Sequence, residues 1–324
     1  MPTVAPLDLE GFCVAAAFVG NVPHFALASG VVHRLDHGQQ QVAVHDGLLA
    51  VAYDAAGDRL ITGGEDGKVC FTGPAGATGE LGNAGRKWVT SVAAGPQGAV
   101  AWGNGRTATV RFADGKTKTF EHPRSVEGLA FSSKGMRLGV ARYNGATLHF
   151  PATDGKPTEL QWDGSHTAIT FSPDGNFVVT TMQENALHGW KLADGKHMRM
   201  TGYPAKVKSL SWSAKGRWLA SSGAPAAIVW PFQAKDGPMG KAPAELGTRG
   251  DSMVTAVACH PTDEIVAIGY RDGMVMAVRI ADAREVLLRR PGKGAISSLA
   301  WDREGRRAAF GSEAGDCGVI DISA

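Results

Sequence analysis

Histidine and cysteine are the first candidates for chemistry, because both side chains bind transition metals. Cys259 and His260 are adjacent, and His33, His37 and His45 lie close together early in the chain. Zinc sites usually use ligands paired at short spacings, such as Cys-x2-Cys followed by a second pair. The sequence contains no such pairs. We therefore predict no metal site and no cofactor, and we interpret His260 as the cap of a turn.

Catalytic motifs are also missing from the sequence. There is no Gly-x-Ser-x-Gly elbow, no phosphate-binding glycine loop ahead of a helix and no His-Glu-x-x-His sequence. The carboxylates placed in turns where they could face a shared site are Glu65, Asp66, Glu184, Asp251 and Glu313. We interpret Asp66 as a brace of its own turn and the other four as solvated, so no enzymatic activity is predicted.

Arginine and aromatic residues in loops could instead anchor another protein, because these residue types dominate binding energy at protein interfaces. The predicted protein-binding face consists of Arg86, Trp88, Arg142, Tyr143 and Arg271. Further basic residues in the same class of loops are Lys87, Arg106, Arg124, Lys206, Arg249 and Lys293. Basic residues outnumber acidic ones in these loops, which predicts an acidic segment in the partner.

A repeat of about 40 residues positions these loops. Residues 169–196 show alternating apolar residues, a Ser-Pro-Asp-Gly turn, more alternation and a second turn at Asp194-Gly195, and similar stretches recur along the chain. We count eight repeats, which begin near Cys13, Leu48, Val89, Val126, Thr167, Val207, Val254 and Ile296. No segment sustains a helical period of 3.6 residues over ten residues, so the fold class is all-β.

Each repeat offers four short strands joined by glycine-containing turns, and Asp-Gly-Lys hairpins recur at 114–116, 154–156 and 194–196. Four-stranded antiparallel units of this size, arranged radially, form a β-propeller. We predict one domain over residues 1–324 with eight blades, and seven blades as the alternative. The last repeat has only three strands, so residues 3–9 are predicted to supply its outer strand and to close the ring.

The repeats resemble those of the WD-repeat family over essentially the whole chain. The matching residues are Phe171-Ser172-Pro173-Asp174-Gly175, Asp66-Gly67, Asp272-Gly273, Trp190, Trp230, and the degenerate endings Leu35-Asp36 and Ile320-Asp321. The Gly-His pair of the family is mostly missing, and Ser165-His166 is its nearest version. The resemblance implies seven blades, the usual number in the family. It also implies an internal network of His, Ser or Thr, Asp and Trp, which must be incomplete in most blades of this chain. The loops before the first strands and after the second strands are expected to lie on one face.

Composition excludes several other classes of function. The 324 residues carry a net charge of +2, which argues against general binding to nucleic acid or to a membrane surface. The N-terminal sequence is a poor secretory signal, and its apolar run at 12–20 is too short to span a bilayer. Cys13, Cys70, Cys259 and Cys317 are widely scattered. We therefore expect four free thiols and a cytoplasmic location.

The function predicted from these observations is a non-enzymatic WD-repeat scaffold for protein–protein interaction, in the form of a monomeric ring. Two alternatives from other classes stay open. One is a propeller that binds a small ligand or sugar in its central channel, which requires a ring of inward polar side chains. The other is a hydrolase or lyase, which requires two carboxylates and a histidine at the channel mouth.

Overall fold

The computed structural model describes residues 2–323, whose regular elements are thirty β-strands and a 3-10 helix at Pro96–Gly98. The first strands are β1 (Thr3–Asp8), β2 (Cys13–Val19), β3 (Val22–Leu27), β4 (Val31–Leu35), β5 (Gln39–Ala43), β6 (Leu48–Asp54), β7 (Arg59–Gly64), β8 (Lys68–Thr72), β9 (Thr78–Asn83), β10 (Ser91–Ala94), β11 (Val100–Asn104), β12 (Thr107–Arg111) and β13 (Thr117–Glu121). The middle strands are β14 (Gly128–Phe131), β15 (Leu138–His149), β16 (Thr158–Phe171), β17 (Phe177–Met182), β18 (Leu187–Lys191) and β19 (His197–Met200). The last strands are β20 (Leu210–Trp212), β21 (Trp218–Ser221), β22 (Ala227–Pro231), β23 (Ala244–Leu246), β24 (Val254–Cys259), β25 (Ile265–Tyr270), β26 (Val275–Arg279), β27 (Glu285–Arg289), β28 (Ile296–Trp301), β29 (Arg307–Ser312) and β30 (Asp316–Asp321).

The hairpin turns follow from the Asp-Gly pairs in the sequence. At 114–116 the amide of Lys116 donates to Asp114 Oδ1 at 3.0 Å, and Gly115 adopts a φ of 86°. Residues with a Cβ rarely adopt such a positive φ, whereas glycine does so at little cost. The aspartate therefore caps the turn and the glycine reverses the chain.

The strands form seven antiparallel sheets in the described residues, six with four strands and one with six. The four-stranded sheets have the orders β2-β3-β4-β5, β6-β7-β8-β9, β10-β11-β12-β13, β20-β21-β22-β23, β24-β25-β26-β27 and β1-β30-β29-β28. The six-stranded sheet runs β14-β15-β16-β17-β18-β19. Consecutive strands pair as hairpins, which is the pairing expected of repeats that each form one antiparallel unit.

The prediction of eight separate blades is wrong as a count of sheets, because the fourth and fifth repeats share the six-stranded sheet. Strand β15 pairs with β14 through Leu138–Ala141 and then with β16 from Tyr143 to Leu148. Strand β16 pairs with β15 up to Ser165 and with β17 from His166 onward. The pairing is irregular at both junctions. The register shifts between Tyr143 and Gly145 and again between His166 and Ala168, and Asn144, Gly145 and Gly164 adopt positive φ values of 63°, 121° and 120°.

The N-terminal strand pairs with the last strand of the chain. In β1, residues Thr3 to Asp8 lie opposite Asp321 to Asp316 of β30 in continuous antiparallel register. Leu9 follows the strand, is buried, and its amide donates to Gly315 O at 2.8 Å. Residues 3–8 therefore supply the fourth strand of the sheet that contains β28 to β30. That this pairing closes a ring of blades stays a prediction.

The contacts divide the described chain into two compact units. The first unit comprises residues 2–28, 32–40 and 202–323, and the second comprises 29–31 and 41–201. In the first unit, one core cluster joins Val229, Val254, Ile268 and Tyr270. In the second unit, one core cluster is built from β-branched and small residues of neighbouring sheets, among them Val110, Val126 and Val140. Burial of such apolar side chains is the main term that stabilises each unit. That residues 1–324 form a single domain stays a prediction.

Candidate protein-binding surface

The loop that carries Arg86 and Trp88 lies at one end of the sheets of the second unit. In the antiparallel register, the start of β10 at Ser91 lies opposite Gly103 near the end of β11. The loop before a first strand and the turn after the second strand of the same sheet must therefore lie at the same end. This end carries the turn 65–67, the loop 84–90, the turn 105–106 and the loop 122–127.

Trp88 projects from a loop whose backbone is held firmly. The amide of Val89 donates to Gly64 O at 3.0 Å, and the amide of Ala84 donates to Gly67 O at 2.8 Å. The Val89 side chain is fully buried, whereas Trp88 is 55% exposed. Arg86, in the same loop, is also exposed. The structure thus places Arg86 and Trp88 as predicted, on a fixed backbone facing solvent.

Arg142 does not belong to the exposed surface, and its assignment to the binding face is wrong. The residue is 6% exposed and lies within β15. Its Nε donates to Thr147 Oγ1 at 3.0 Å, its Nη1 donates to the carbonyl of Tyr143 at 3.0 Å, and its Nη2 pairs with Glu159. A buried guanidinium with three partners is a structural group, because removing it would break all three contacts and leave the carbonyl of Tyr143 without this donor.

Tyr143 is 49% exposed and contacts a cation that the sequence-based site left out. The guanidinium carbon of Arg124 lies 6.0 Å from the centre of the Tyr143 ring, within the range of a cation–π contact. Arg124 is exposed and belongs to the loop 122–127. Two hydrogen bonds connect this loop to the turn 105–106, from His122 N to Arg106 O and from Val126 N to Gly105 O, each 2.8 Å.

These loops define one basic–aromatic surface in the second unit. Its members are the exposed residues Arg86, Lys87, Trp88, Arg106, Arg124 and Tyr143. The exposed acidic residues in the same loops are Glu65 and Glu127. Four cations against two carboxylates leave a positive balance, which agrees in sign with the predicted acidic partner segment.

Arg271 lies in the first unit, whereas the other four residues of the predicted face lie in the second unit. It is exposed and lies in the turn between β25 and β26, where its amide donates to Met253 O at 2.9 Å. With Lys206 and Lys208 it lines a cavity of about 100 Å³. The cluster is basic, but it holds no exposed aromatic anchor.

A histidine network fixes one turn at this end of the second unit. His45 Nδ1 lies 3.0 Å from Asp66 Oδ1, and His45 Nε2 lies 2.9 Å from Thr62 Oγ1. Burial raises the pKa of Asp66, but hydrogen bonds from the amide of Lys68 and from His45 outweigh it and lower that pKa overall. Asp66 therefore braces its own turn, as the sequence predicted. The role of His45 in this network was missed, because the repeat lacks the Gly-His pair of the family.

Three further candidates for chemistry make local contacts. Glu184 accepts from the amide of Ser165 at 3.1 Å, and Asp251 pairs with Arg249 at 3.3 Å. His260 accepts from the amide of Asp263 at 3.0 Å, which confirms that it caps a turn. Among residues 2–323 no group of three or more His, Cys, Asp or Glu side chains is arranged to hold a metal ion.

Two cavities of the second unit bear on the binding of small molecules. One of about 380 Å³ is lined by the C-terminal ends of the first strands of neighbouring sheets, including Tyr53, Phe131 and Phe171. The other, of about 350 Å³, is lined by Arg137, Trp190, His197 and apolar residues of β15 and β16.

Within the described part of the chain, no helix combines the length and apolar character needed to cross a bilayer.

Comparison with known proteins agrees with the repeats. Residues 39–71 and 196–228 match the family described as "WD domain, G-beta repeat". Rat telomerase protein component 1 is 26% identical over 188 residues, which are 56% of this chain and 7% of that protein. Rat WD repeat-containing protein 55 is 25% identical over 197 residues, which are 58% of this chain and 50% of that protein. The matches thus span half or less of these relatives' length.

Solved structures show the same fold at low sequence identity. The computationally designed Ika8 protein superposes with a TM-score of 0.78 at 20% identity, covering 97% of this chain and 98% of that one. A chain of the mitotic checkpoint complex superposes with a TM-score of 0.68 at 14% identity, covering 86% of this chain and 91% of that one. Identities this low establish the fold alone.

Proposed function

Because the chain belongs to the WD-repeat β-propeller family, we propose that it is a non-enzymatic scaffold that binds another protein through the basic–aromatic surface. One observation carries the proposal. Two exposed aromatic side chains, Trp88 and Tyr143, lie on firmly held backbone at the same end of neighbouring sheets, and exposed cations lie beside them. Large exposed apolar groups cost solvation energy in the free protein, so their placement favours a role in binding.

The chemistry of the surface supports an acidic partner segment that also carries apolar or aromatic residues. Arg124 and Arg86 can form bidentate hydrogen bonds with carboxylates, while Trp88 and Tyr143 offer flat apolar faces. Because the cations are exposed, their contribution should appear mainly in the association rate and should weaken with salt. The partner is recognised by charge and by aromatic anchoring together.

The test is affinity purification with the wild type and with Trp88→Ala and Arg124→Glu, read by quantitative mass spectrometry. Truncating an interface anchor costs about 2 kcal/mol, or about thirtyfold in affinity. We expect both variants to lose the same partner. Matched controls are Leu287→Ala, an exposed apolar residue of the first unit, and Lys156→Glu, an exposed cation of the second unit outside the surface. Equal recovery of every partner by Trp88→Ala and the controls would refute this surface.

The alternative of a small ligand is supported by one cavity of the second unit. Arg137 lines the 350 Å³ cavity, and its Nε is buried without a hydrogen-bond partner among the described residues. A carboxylate ligand with an apolar body would satisfy that atom and contact Trp190. Saturable quenching of tryptophan fluorescence by phenylacetate, lost in Arg137→Met, would favour this function over the scaffold.

Location and assembly are further parts of the proposal. A cytoplasmic location is supported by four scattered cysteines that are all free thiols. We also propose a monomer that binds neither nucleic acid nor membranes, since the net charge of +2 offers no large basic field. Fractionation of cells and light scattering of the purified protein test these two points.

A further inference from the structure

Two cysteines from opposite ends of the sequence meet in the core of the first unit. Cys13 lies in β2 and Cys317 lies in β30, and both side chains are fully buried. The two thiols are hydrogen-bonded to each other. Gly311 in β29 makes room for them, because a Cβ at that position would lie 2.3 Å from Cys13 Sγ and 3.5 Å from Cys317 Sγ. Both sulfurs therefore occupy the space over one glycine.

We propose that Cys13 and Cys317 form a site of reversible oxidation, at which a disulfide joins β2 to β30. The other two cysteines lack this arrangement. The Cys70 thiol lies 3.9 Å from the carbonyl of Val44, and the Cys259 thiol lies 3.3 Å from the carbonyl of Ser211. A contact between two thiols is what disulfide formation requires, since the bond length of about 2 Å demands neighbouring sulfurs.

Hydrogen peroxide is the oxidant class that fits a buried pair, because it is small and supplies both oxidising equivalents. We take Cys317 as the attacking thiol, because the hydrogen bond from Cys13 lowers its pKa. The Cys317 sulfur attacks one peroxide oxygen, the O–O bond breaks, and the products are a sulfenic acid and water. The Cys13 sulfur then attacks the sulfenic sulfur, the S–O bond breaks, and the departing hydroxide takes the Cys13 proton to form the second water.

The bond would form between sheets that already contact each other in the first unit. Ser297 Oγ of β28 donates to the carbonyl of Cys13 at 2.5 Å, and Arg307 of β29 donates to the carbonyl of Asn21 at 2.9 Å. The sheets are thus held together before oxidation. The resulting loop would contain almost the whole chain, and a disulfide that closes a longer loop restricts the unfolded state more strongly. Oxidation should therefore protect the sheet that carries both chain ends from unfolding.

The experiment treats the purified, reduced protein with a molar excess of hydrogen peroxide and then counts thiols under denaturing conditions. The four free thiols of the wild type should fall to two, the mass should drop by two hydrogen atoms, and dithiothreitol should reverse both changes. Peptide mapping should find residues 13 and 317 in one crosslinked pair. The thermal midpoint of the oxidised protein should exceed that of the reduced protein.

Alanine variants provide the controls. Cys259→Ala removes an uninvolved thiol and should still form the disulfide, whereas Cys13→Ala should form none and should leave Cys317 as a sulfenic acid that dimedone traps. If Cys13→Ala does not fold, peptide mapping of the oxidised wild type shows by itself whether Cys13 and Cys317 form the disulfide. Four thiols retained after peroxide, or a disulfide between any other pair, would overturn the proposal.

Discussion

Replacing Arg142 tests most directly whether this residue is a structural group or a binding residue. Arg142→Met retains the apolar stem and removes the guanidinium, which donates to Thr147, to the carbonyl of Tyr143 and to Glu159. If the residue were a solvated loop arginine, the change would leave the free energy of unfolding within about 0.5 kcal/mol. The buried geometry predicts a clear loss of stability.

The size of the loss follows from the fate of each partner. Thr147 keeps Glu159 as a partner, with oxygen distances of 3.0 and 3.2 Å, and the Glu159 side chain is 43% exposed, so water can solvate it again. The carbonyl of Tyr143 loses its donor. A hydrogen bond to a charged group contributes about 1.5–3 kcal/mol to stability. Because Thr147 and Glu159 regain partners, the total loss should be close to that of a single such hydrogen bond. We expect Arg142→Met to cost about 2 kcal/mol.

Arg142→Glu should cost more, about 3–5 kcal/mol, because it places a second carboxylate beside Glu159 in a buried position. The assay is urea-induced unfolding of both variants. The matched control is Arg271→Glu, at an exposed arginine, which should change the free energy of unfolding by less than about 0.5 kcal/mol. Equal midpoints for wild type and Arg142→Met would refute the structural role. A control as unstable as Arg142→Glu would show that burial does not distinguish the two arginines.

The remaining predictions concern the N-terminal strand and a buried histidine. Deleting residues 1–10 removes β1 and exposes the edge of β30, so the thermal midpoint should fall and aggregation should rise; an unchanged unfolding curve would contradict this, and would also remove the support for closure of the ring. Burial lowers the pKa of His188 to about 3, so below pH 6.5 the unfolded chain binds a proton that the folded protein does not. The free energy of unfolding should therefore be highest above pH 6.5 and should fall by about 1.4 kcal/mol per pH unit as the pH drops from 6.5 towards 3. Both ring nitrogens of His188 lack hydrogen-bond partners among residues 2–323, and the ring stacks on Trp162 with a centroid distance of 4.1 Å. His188→Phe should therefore retain the packing and weaken the pH dependence. Equal slopes of unfolding free energy against pH for the wild type and the variant would contradict this.

Several features of the fold could be predicted from the sequence because they depend on neighbouring residues. The alternation of apolar residues predicted strands, and the Asp-Gly pairs predicted hairpins such as that at 114–116, since turn chemistry acts over two or three residues. The repeat of about 40 residues indicated four-stranded antiparallel units, and motifs such as Phe171-Ser172-Pro173-Asp174-Gly175 carried the resemblance to the WD-repeat family. The missing fourth strand of the last repeat predicted that residues 3–9 supply it, and residues 3–8 do pair with β30.

The sequence was a weaker guide to the candidate surface. Arg86, Trp88 and Tyr143 proved to be exposed, since each follows or precedes a recognisable strand. Arg142 differs from its neighbour Tyr143 because its guanidinium turns inward to Thr147, Glu159 and the carbonyl of Tyr143, whereas the Tyr143 ring is 49% exposed. The sequence suggested a loop there and gave no sign that the arginine faces inward.

Local pattern and turn chemistry by themselves determined the strands, their grouping into repeats and the class of fold. Only the tertiary structure decided which side chains meet. It united the fourth and fifth repeats in one sheet, placed Arg124 against Tyr143, and brought Cys13 to Cys317. The physical reason is that strand formation depends on the nearest residues, whereas these contacts depend on how distant strands pack and on which backbone positions, such as Gly311, leave space.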